Sequence, residues 1–480
     1  MIVRRGADLD ADAVRRVAAG APVELAPGLL ADLRRRRGEL LDVLESSGPV
    51  YGVTTGMGAL AGVVLDEAAR ARHQENLVVG RAVGSAPWLD AVQARAVLAV
   101  RLRTFLHPEA AVSPELCVRL TELLQRDVLP CIPARGNGAA GEIIPLAHVG
   151  AVVLGAGRTL DGRSAGAFGF GAKEGVAVLE GVPVATALAV LQVAAAGRLL
   201  EGSVRVLAAT AEVLRANADP LRPGLARADD VLAGVHSRLR ELRPAPTVAG
   251  LQAPLSVRVA PAALAVALRR VQALGDAADR ALDGVTDSPA LLGDGSPVGT
   301  AGFAGTELAA ASDALGAALL HVAETSVART HRALDPRLTG LTAQLSPQPG
   351  VQAGLVALHK RAVGVAHRLR RFALPALGGA VETSLGQEDV QSFGLEAAEC
   401  LGELLDGLRE VLAVELLAVH RARLLRGGLG GLSTELTGAL EGLAAALGDA
   451  TDPAAGPDLD DRPYGLDVDR VVELLRHGRF

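Results

Sequence analysis

Aromatic residues and cysteines are scarce in this chain of 480 residues. Aromatic side chains make up only 2% of it, although 50% of the residues are apolar. A core that depends on alanine, valine and leucine favours closely packed helices over a β-sandwich, so we predict a mainly all-α protein. The three cysteines, Cys117, Cys131 and Cys400, are widely spaced and form no Cys-x-x-Cys pair. This spacing suggests neither a disulfide framework nor a zinc site and predicts a reducing, cytoplasmic environment.

An excess of basic residues is also absent, and so is a long uninterrupted apolar run. Lysine and arginine number 48 against 54 acidic residues, a net charge of −6, which argues against a nucleic-acid binder. The most apolar stretch, residues 182–197, is shorter than the roughly 20 residues that cross a bilayer. We therefore predict a buried helix that begins at Pro183. The polar N-terminus lacks the apolar core of a secretory signal, and we expect no membrane association.

Helical periodicity alternates along the chain with glycine- and proline-rich loops. A helix is predicted from Leu29 to Leu44, and helical patterns continue over 65–106 with a break at 84–87. We predict an N-terminal region over residues 1–200 with loops at 51–58 and 136–148. A central helical bundle is predicted over 201–445. A linker at 446–465 and a short helix at 468–475 then form the C-terminal region 446–480. No fixed-period repeat is present, which disfavours a solenoid.

The motif RGNGAAGE contains a Gly-x-Gly-x-x-Gly pattern at Gly136, Gly138 and Gly141. A dinucleotide site needs a strand before this pattern and a helix that opens on its last glycine. Pro130 and Pro133 interrupt any such strand, so we do not interpret the motif as a nucleotide site. No metal site is predicted either, since acids such as Asp335 and Asp389 stand alone and are better explained as caps or salt-bridge partners.

Seven blocks identify a family resemblance, because they occur in the order expected of one family. They are YGVTTGMG (51–58), NLVVGRAVG (76–84), GAAGEIIPLAHVG (138–150), KEGVAVLEG (173–181), LQAPLSVR (251–258), TDSPALL (286–292) and GQEDVQSFG (386–394). Together they resemble the histidine, phenylalanine and tyrosine ammonia-lyases and the related aminomutases. The resemblance implies an almost all-helical subunit with a long central bundle and a smaller loop-rich N-terminal region. It also implies a homotetramer whose active sites combine loops from several subunits.

The electrophile of that family is formed from an internal Ala-Ser-Gly triplet. The triplet's backbone cyclises and its serine loses water, which gives 4-methylidene-imidazol-5-one. In this chain the corresponding residues are Ala139, Ala140 and Gly141. Ala140 has no hydroxyl to eliminate, so we expect neither this prosthetic group nor another cofactor.

Further departures surround the altered triplet. The aspartate that usually follows it is Glu142, and the Asn-Phe-His segment is replaced by Gly302-Phe303-Ala304. By resemblance, Glu180 takes the place of an asparagine, Leu255 that of a tyrosine, and Arg81 that of the substrate-facing histidine. A single engineered Ser→Ala change would leave these positions intact, so natural loss of the electrophile is favoured.

The resemblance also assigns roles to residues that are retained. Tyr51 matches the tyrosine that abstracts the β-proton, and Arg258 matches the arginine that holds the substrate carboxylate through two parallel hydrogen bonds. Gln387 and Glu388 match the active-site Gln-Glu pair. We expect Tyr51 and Glu388 to be catalytic. The expected substrate-binding residues are Arg258, Gln387, Leu255, Arg81 and Glu180, with Glu180 facing a polar or cationic substrate group because an unpaired buried charge is costly.

Four hypotheses for the function follow. The preferred one is an electrophile-independent β-elimination on a small carboxylate with a good leaving group, for example a betaine. Addition, cyclisation or isomerisation with Tyr51 as acid and base is the second. The others are a non-catalytic homologue that binds a ligand and a Ser-to-Ala mutant of a conventional ammonia-lyase.

Overall fold

The computed structural model describes residues 1–46, 48–449 and 459–480. Ser47 and residues 450–458 of the predicted linker lie outside the described residues. The domain boundaries predicted at residues 200 and 445 stay predictions.

Helices dominate the described chain, which confirms the predicted all-α class. They are α1 (Ala11–Ala18), α2 (Pro27–Ser46), α3 (Glu67–Val79), α4 (Ala91–Phe105), α5 (Pro114–Gln125), α6 (Ile143–Val153), α7 (Glu174–Leu179), α8 (Pro183–Val213), α9 (Asp230–Leu242), α10 (Leu255–Arg258), α11 (Ala260–Asp283), α12 (Thr306–Ala333), α13 (Pro336–Thr339), α14 (Val356–Leu369), α15 (Gly394–Arg426), α16 (Thr434–Leu447) and α17 (Gly465–Arg476). Two short strand pairs accompany them. The first is parallel, β1 (Ile2–Val3) with β2 (Glu24–Leu25), and the second antiparallel, β3 (Ala290–Leu291) with β4 (Pro297–Val298).

Several helices begin where a short polar side chain accepts a backbone N–H. Asp66 caps α3 and Asp90 caps α4, each by accepting the N–H three residues further on at 2.8 Å. Ser113 caps α5, which has proline as its first residue. The predicted break at 84–87 is confirmed, since it lies between the end of α3 and the start of α4.

One compact unit consists of residues 1–192, 274–313 and 375–399. Within it α1 packs against α4, and α3, α6 and α7 pack against one another. The buried side of α4 is lined with alanine, valine and leucine, as the composition predicts. This unit contains the loop at 51–58. It also contains the stretch 136–148, which was predicted as a loop throughout but is helical from Ile143, where α6 begins.

The other compact unit consists of residues 193–273, 314–374 and 400–480. A fully buried ion pair lies in it, where Arg329 donates to both carboxylate oxygens of Glu415 at 2.7 and 2.8 Å. The hydroxyl groups of Thr210 and Ser326 donate to the same carboxylate. Because its charge is paired and its oxygens are hydrogen-bonded, this pair is satisfied inside an apolar core.

The stretch from Glu174 to Val213 is long and apolar enough to cross a membrane by length and composition alone. In the structure, 89% of its most apolar window is buried inside the protein, as in a core helix. The predicted buried helix that begins at Pro183 is confirmed as α8.

Candidate active site

A cavity of about 360 Å³ lies in the first compact unit and brings several of the predicted residues together. Its lining comes from the loop at 51–58, the altered triplet, the end of α7, the segment 288–303 and the loop that precedes α15. The lining residues are Tyr51, Met57, Ala140, Gly141, Ile143, Glu180, Ser288, Gly299, Thr300, Phe303, Gln387 and Glu388.

The loop that carries Tyr51 is held in a tight fold by its own polar groups. The N–H of Val50 donates to the Thr54 hydroxyl at 2.7 Å, and the N–H of Gly56 donates to the Val63 carbonyl at 2.9 Å. Gly52 has a φ of +66°, and a Cβ there would lie 3.0 Å from Val176. Glycine at this position therefore lets the loop approach α7 closely.

The Tyr51 side chain is half-buried, and its hydroxyl oxygen accepts a hydrogen bond from the N–H of Gly58 at 2.8 Å. Burial raises the pKa of Tyr51 above that of a free phenol, and the Gly58 hydrogen bond opposes this rise. Of the nearby charges, the carboxylates of Glu180 and Glu388 raise it further, whereas Arg81 lowers it. The phenol is therefore protonated at neutral pH in the absence of a ligand.

The altered triplet is held from two sides. Asn137 donates from Nδ2 to the Gly141 carbonyl at 2.7 Å. Glu388 accepts the N–H of Ala140 on Oε2 at 2.8 Å and the Ser384 hydroxyl on Oε1 at 3.0 Å. One of the two predicted catalytic residues thus positions the backbone of the triplet and also borders the cavity.

Glu142 has a structural role next to the triplet. Its two carboxylate oxygens accept the N–H groups of Val184 and Ala185, each at 2.6 Å. These donors belong to the first turn of α8, which begins at Pro183, so Glu142 acts as the cap of that helix. The side chain is only 3% exposed.

Glu180 ends α7 and is 6% exposed. Its backbone is fixed, because its carbonyl accepts from Arg101 Nη2 at 2.6 Å and its N–H donates to Val176 at 3.1 Å. Within the described part of the chain, its carboxyl group has no hydrogen-bond or ion-pair partner, and it lines the cavity. Burial raises the pKa of Glu180 to about 8, helped by Asp287 and opposed by Arg101.

Arg81 and Gln387 lie beside these groups. The Arg81 side chain is half-buried at the end of α3, where its Nη1 donates to the Leu77 carbonyl at 3.1 Å. Burial lowers its pKa, while the nearby charges of Tyr51, Glu388 and Glu180 raise it, as expected for a cation beside this cavity. Gln387 is exposed at the border of the cavity.

Arg258 and Leu255 are not among the residues that line this cavity. Both belong to α10 in the other compact unit, where the Arg258 guanidinium is exposed and donates to Gln252 Oε1 at 2.7 Å. Leu255 is 67% exposed, and Leu251, four residues before it, is 94% exposed. The roles that the resemblance implies for them stay predictions.

The triplet lacks the chemistry needed to form the prosthetic group of the ammonia-lyases that the chain resembles. Ala140 presents a methyl group to the cavity, and no hydroxyl is available there for the loss of water. Glu180, which by resemblance takes the place of an asparagine, lines the same cavity, and its carboxyl group has no partner within the described residues. No step of the chemistry proposed below passes through such a group.

Sequence reasoning missed part of the cavity lining. Phe303 contributes an aromatic ring, and Ser288 and Thr300 contribute polar groups that hold each other, since the N–H of Thr300 donates to Ser288 Oγ at 3.2 Å. Two signals were available, because Ser288 lies in the block at 286–292 and Phe303 lies in the departing segment 302–304.

His148, which lies in the block at 138–150, belongs to the packing. Its Nε2 accepts the N–H of Gly84 at 3.0 Å, and its ring lies 5.6 Å from that of Trp88. Burial lowers its pKa, so the imidazole is neutral in its surroundings.

Comparison with known proteins places the fold and the blocks in context. Residues 9–444 match the family model described as aromatic amino acid lyase. A histidine ammonia-lyase from Gloeobacter violaceus is 31% identical, over 100% of this chain and 96% of that protein. The structure of a tyrosine aminomutase from Streptomyces globisporus is 25% identical with a TM-score of 0.91, covering 99% of this chain and 97% of the other. That of the ergothioneine-degrading ergothionase from Treponema denticola is 23% identical with a TM-score of 0.91, covering 100% and 99%, and shows the shared fold.

Proposed function

The chain belongs to the aromatic amino acid lyase family, and from this membership we propose an enzyme that eliminates a good leaving group from a small carboxylate without the methylidene-imidazolone. The single observation that carries the proposal is the wall of the cavity, where Ala140 lies together with Tyr51 and Glu388. Ala140 lacks the hydroxyl from which the electrophile would form. Tyr51, which matches the family's base, and Glu388, which matches the glutamate of its Gln-Glu pair, are retained.

Loss of ammonia from a free amino acid needs an electrophile because ammonia is a poor leaving group and the β-proton is weakly acidic. A betaine avoids the first difficulty, since trimethylamine leaves directly as a neutral molecule. Tyrosinate takes the β-proton, the electron pair of the C–H bond forms the C=C bond, and the C–N bond breaks with its pair on nitrogen. The products are an α,β-unsaturated carboxylate, trimethylamine and protonated Tyr51, which returns its proton to solvent.

A cationic substrate also helps to produce the base. In the free protein, burial and two neighbouring carboxylates favour the neutral phenol of Tyr51. A permanent positive charge in the cavity favours the phenolate by the same electrostatic rule and offsets those carboxylates. A free amino acid loses its positive charge when its amino group is deprotonated. It would then no longer favour the phenolate of Tyr51.

The substrate carboxylate requires a cation, and within the described residues the lining of this cavity contains no lysine or arginine, although Arg81 lies near Tyr51. We propose that Arg258 of another copy holds it, within a homotetramer in the cytoplasm. Exposed apolar side chains flank Arg258 on its own chain, as at Leu251 and Leu255, and a second copy would cover them. The existence of an ergothioneine-degrading enzyme with this fold agrees with a betaine substrate.

The testing experiment is a direct elimination assay. The purified protein is incubated with histidine, phenylalanine and tyrosine and, in parallel, with their N-trimethyl betaines, which for histidine include its 2-thio derivative ergothioneine. Absorbance reports the conjugated product and mass spectrometry the released amine. Turnover of one or more betaines with none of the free amino acids is the expected result. Turnover of the free amino acids would overturn the electrophile-independent route, and inactivity on all of them would overturn elimination.

A variant of the triplet distinguishes natural loss of the electrophile from a single Ser→Ala change at residue 140. We expect Ala140→Ser to gain only the mass of its added oxygen, because Glu180 and Glu142 have also replaced the usual surroundings of the triplet. A protein lighter by two water molecules, with new near-ultraviolet absorbance and rapid deamination of free amino acids, would contradict this expectation.

A further inference from the structure

Glu180 is the most isolated acid bordering the cavity. Its side chain is 94% buried, since only 6% of it is exposed, and within the described residues no group donates to its carboxyl oxygens. By contrast, Glu388 is bound by the N–H of Ala140 and by the Ser384 hydroxyl. A buried carboxyl group without a partner is costly in the free protein and is explained if a ligand supplies the partner.

The position of Glu180 is set rigidly. Arg101 holds its carbonyl, and Gly181 follows with a φ of +89°, where a Cβ would lie 2.9 Å from the Thr286 hydroxyl. The Gly181 carbonyl in turn accepts the N–H of Glu142 at 3.3 Å, directly after the triplet. Glu180 therefore lies on the side of the cavity formed by residues 140 and 141, and the backbone cannot move away without breaking these contacts.

Charges of both signs surround this carboxyl group. Asp287 and Glu388 oppose its ionisation, whereas Arg101 and Lys173 favour it. Lys173 is already paired with Asp287, and both Arg101 nitrogens that donate are bound to backbone carbonyls. Glu180 also acts on the pKa values of Tyr51 and Arg81, so these two groups lie near it as well. None of these cations is a direct partner of Glu180.

Two aromatic rings line the same cavity, although aromatic residues make up only 2% of the chain. Tyr51 and Phe303 are both lining residues, and aromatic rings attract quaternary ammonium groups, which cannot donate hydrogen bonds. A carboxylate together with two rings forms a site for a bulky permanent cation.

We propose that Glu180 is the cation subsite of this cavity and contacts the trimethylammonium group of the substrate between the rings of Tyr51 and Phe303. This inference rests on the proposed function and names the group that selects the substrate. Binding of the cation displaces the proton of Glu180, and after the neutral amine has left, Glu180 takes a proton back.

Two unreactive probes of the same shape test the subsite by calorimetry on the assembled protein. Glycine betaine carries the trimethylammonium group, and 3,3-dimethylbutanoate carries a neutral tert-butyl group in its place. Neither can undergo the elimination, so the result is independent of turnover. At pH 9 we expect the wild-type protein to bind the betaine about tenfold more tightly than the neutral probe. Glu180→Gln should lose most of this preference and keep only the part that the two rings contribute.

The pH dependence provides a measurement on the unmodified protein. Since the pKa of Glu180 is about 8, its ionised fraction rises with pH, and betaine affinity should rise about tenfold between pH 7 and pH 9. At pH 7 betaine binding should release close to one proton, seen as a binding enthalpy that changes with the buffer. The neutral probe should release none.

The matched control is Asp389→Asn, which removes an exposed acid next to Glu388 and should retain the wild-type preference. Equal affinity of the wild-type protein for both probes, or betaine binding without proton release at pH 7, would overturn the subsite. An undiminished betaine preference in Glu180→Gln would do the same. Failure of the elimination assay with the preference intact would overturn the proposed reaction and leave the subsite in place.

Discussion

At the scale of single residues, the cavity contains two acids that burial keeps protonated near neutral pH. The pKa of Tyr51 is raised above that of a free phenol, and the pKa of Glu180 is raised to about 8. The carboxylate of Glu180 is among the charges that raise the pKa of Tyr51, so ionisation of Glu180 disfavours ionisation of Tyr51. A bound cation favours the ionised form of each group, and its positive charge offsets the negative charge that Glu180 then places beside Tyr51.

Tyr51→Phe tests the base. We expect turnover of the betaine substrate to fall at least about 100-fold, a loss typical of a missing general base, while glycine betaine still binds. In the wild-type protein kcat/KM should rise with pH, because only the ionised phenol accepts the β-proton and its pKa is raised. Steady-state kinetics from pH 7 to pH 10 measures both effects. A variant that keeps its turnover, or a rate that falls throughout this range, would remove Tyr51 from the mechanism.

Which residues meet in the cavity was predictable only in part. Tyr51, Glu180, Gln387 and Glu388 were found from blocks of sequence, and the structure brings them together. The hydrogen bond from Ala140 to Glu388 joins residues 248 positions apart, and no local pattern indicates it. Periodicity and turn chemistry report neighbours along the chain, whereas such a contact depends on how distant loops pack.

At the scale of helices, the start of α8 was likewise predictable from the sequence only in part. Pro183 predicts the first residue of the helix because its missing N–H needs no partner there, and the structure confirms it. The cap is different, because Glu142 reaches α8 from a loop about 40 residues earlier. A pattern that seeks Ser, Asp or Asn directly before a helix cannot find a cap of this kind.

Glu142→Ala tests this cap. The change leaves the buried N–H groups of Val184 and Ala185 without acceptors, so we expect a loss of about 2 kcal/mol, at the upper end for a cap. Hydrogen exchange at these two amides should accelerate, and the thermal midpoint should fall. Ser433→Ala, which removes the cap of α16, serves as the control and should leave exchange at α8 unchanged. Unchanged protection of α8 in Glu142→Ala would show that the cap contributes nothing.

At the scale of the whole molecule, the proposed site needs more than one copy of the chain. Tyr51 borders the cavity, and Arg258, the expected carboxylate clamp, is exposed beside apolar side chains that one chain leaves uncovered. If the site takes Tyr51 from one subunit and Arg258 from another, two inactive variants can restore each other. A chain with Tyr51→Phe still supplies Arg258, and a chain with Arg258→Ala still supplies Tyr51.

Coexpression of these two variants with different affinity tags tests whether Tyr51 and Arg258 of different subunits meet in one site. Random assembly places both native residues in about one quarter of all sites, and purification on both tags removes the two inactive uniform tetramers, so mixed assemblies should recover about 29% of wild-type turnover. Each variant alone should be nearly inactive. Pairing Tyr51→Phe with a chain that carries both changes provides the control, because no subunit then supplies Tyr51. If the mixed assemblies stay as inactive as this control, Tyr51 and Arg258 do not meet across a subunit boundary, and the carboxylate clamp must be sought elsewhere, first at Arg81.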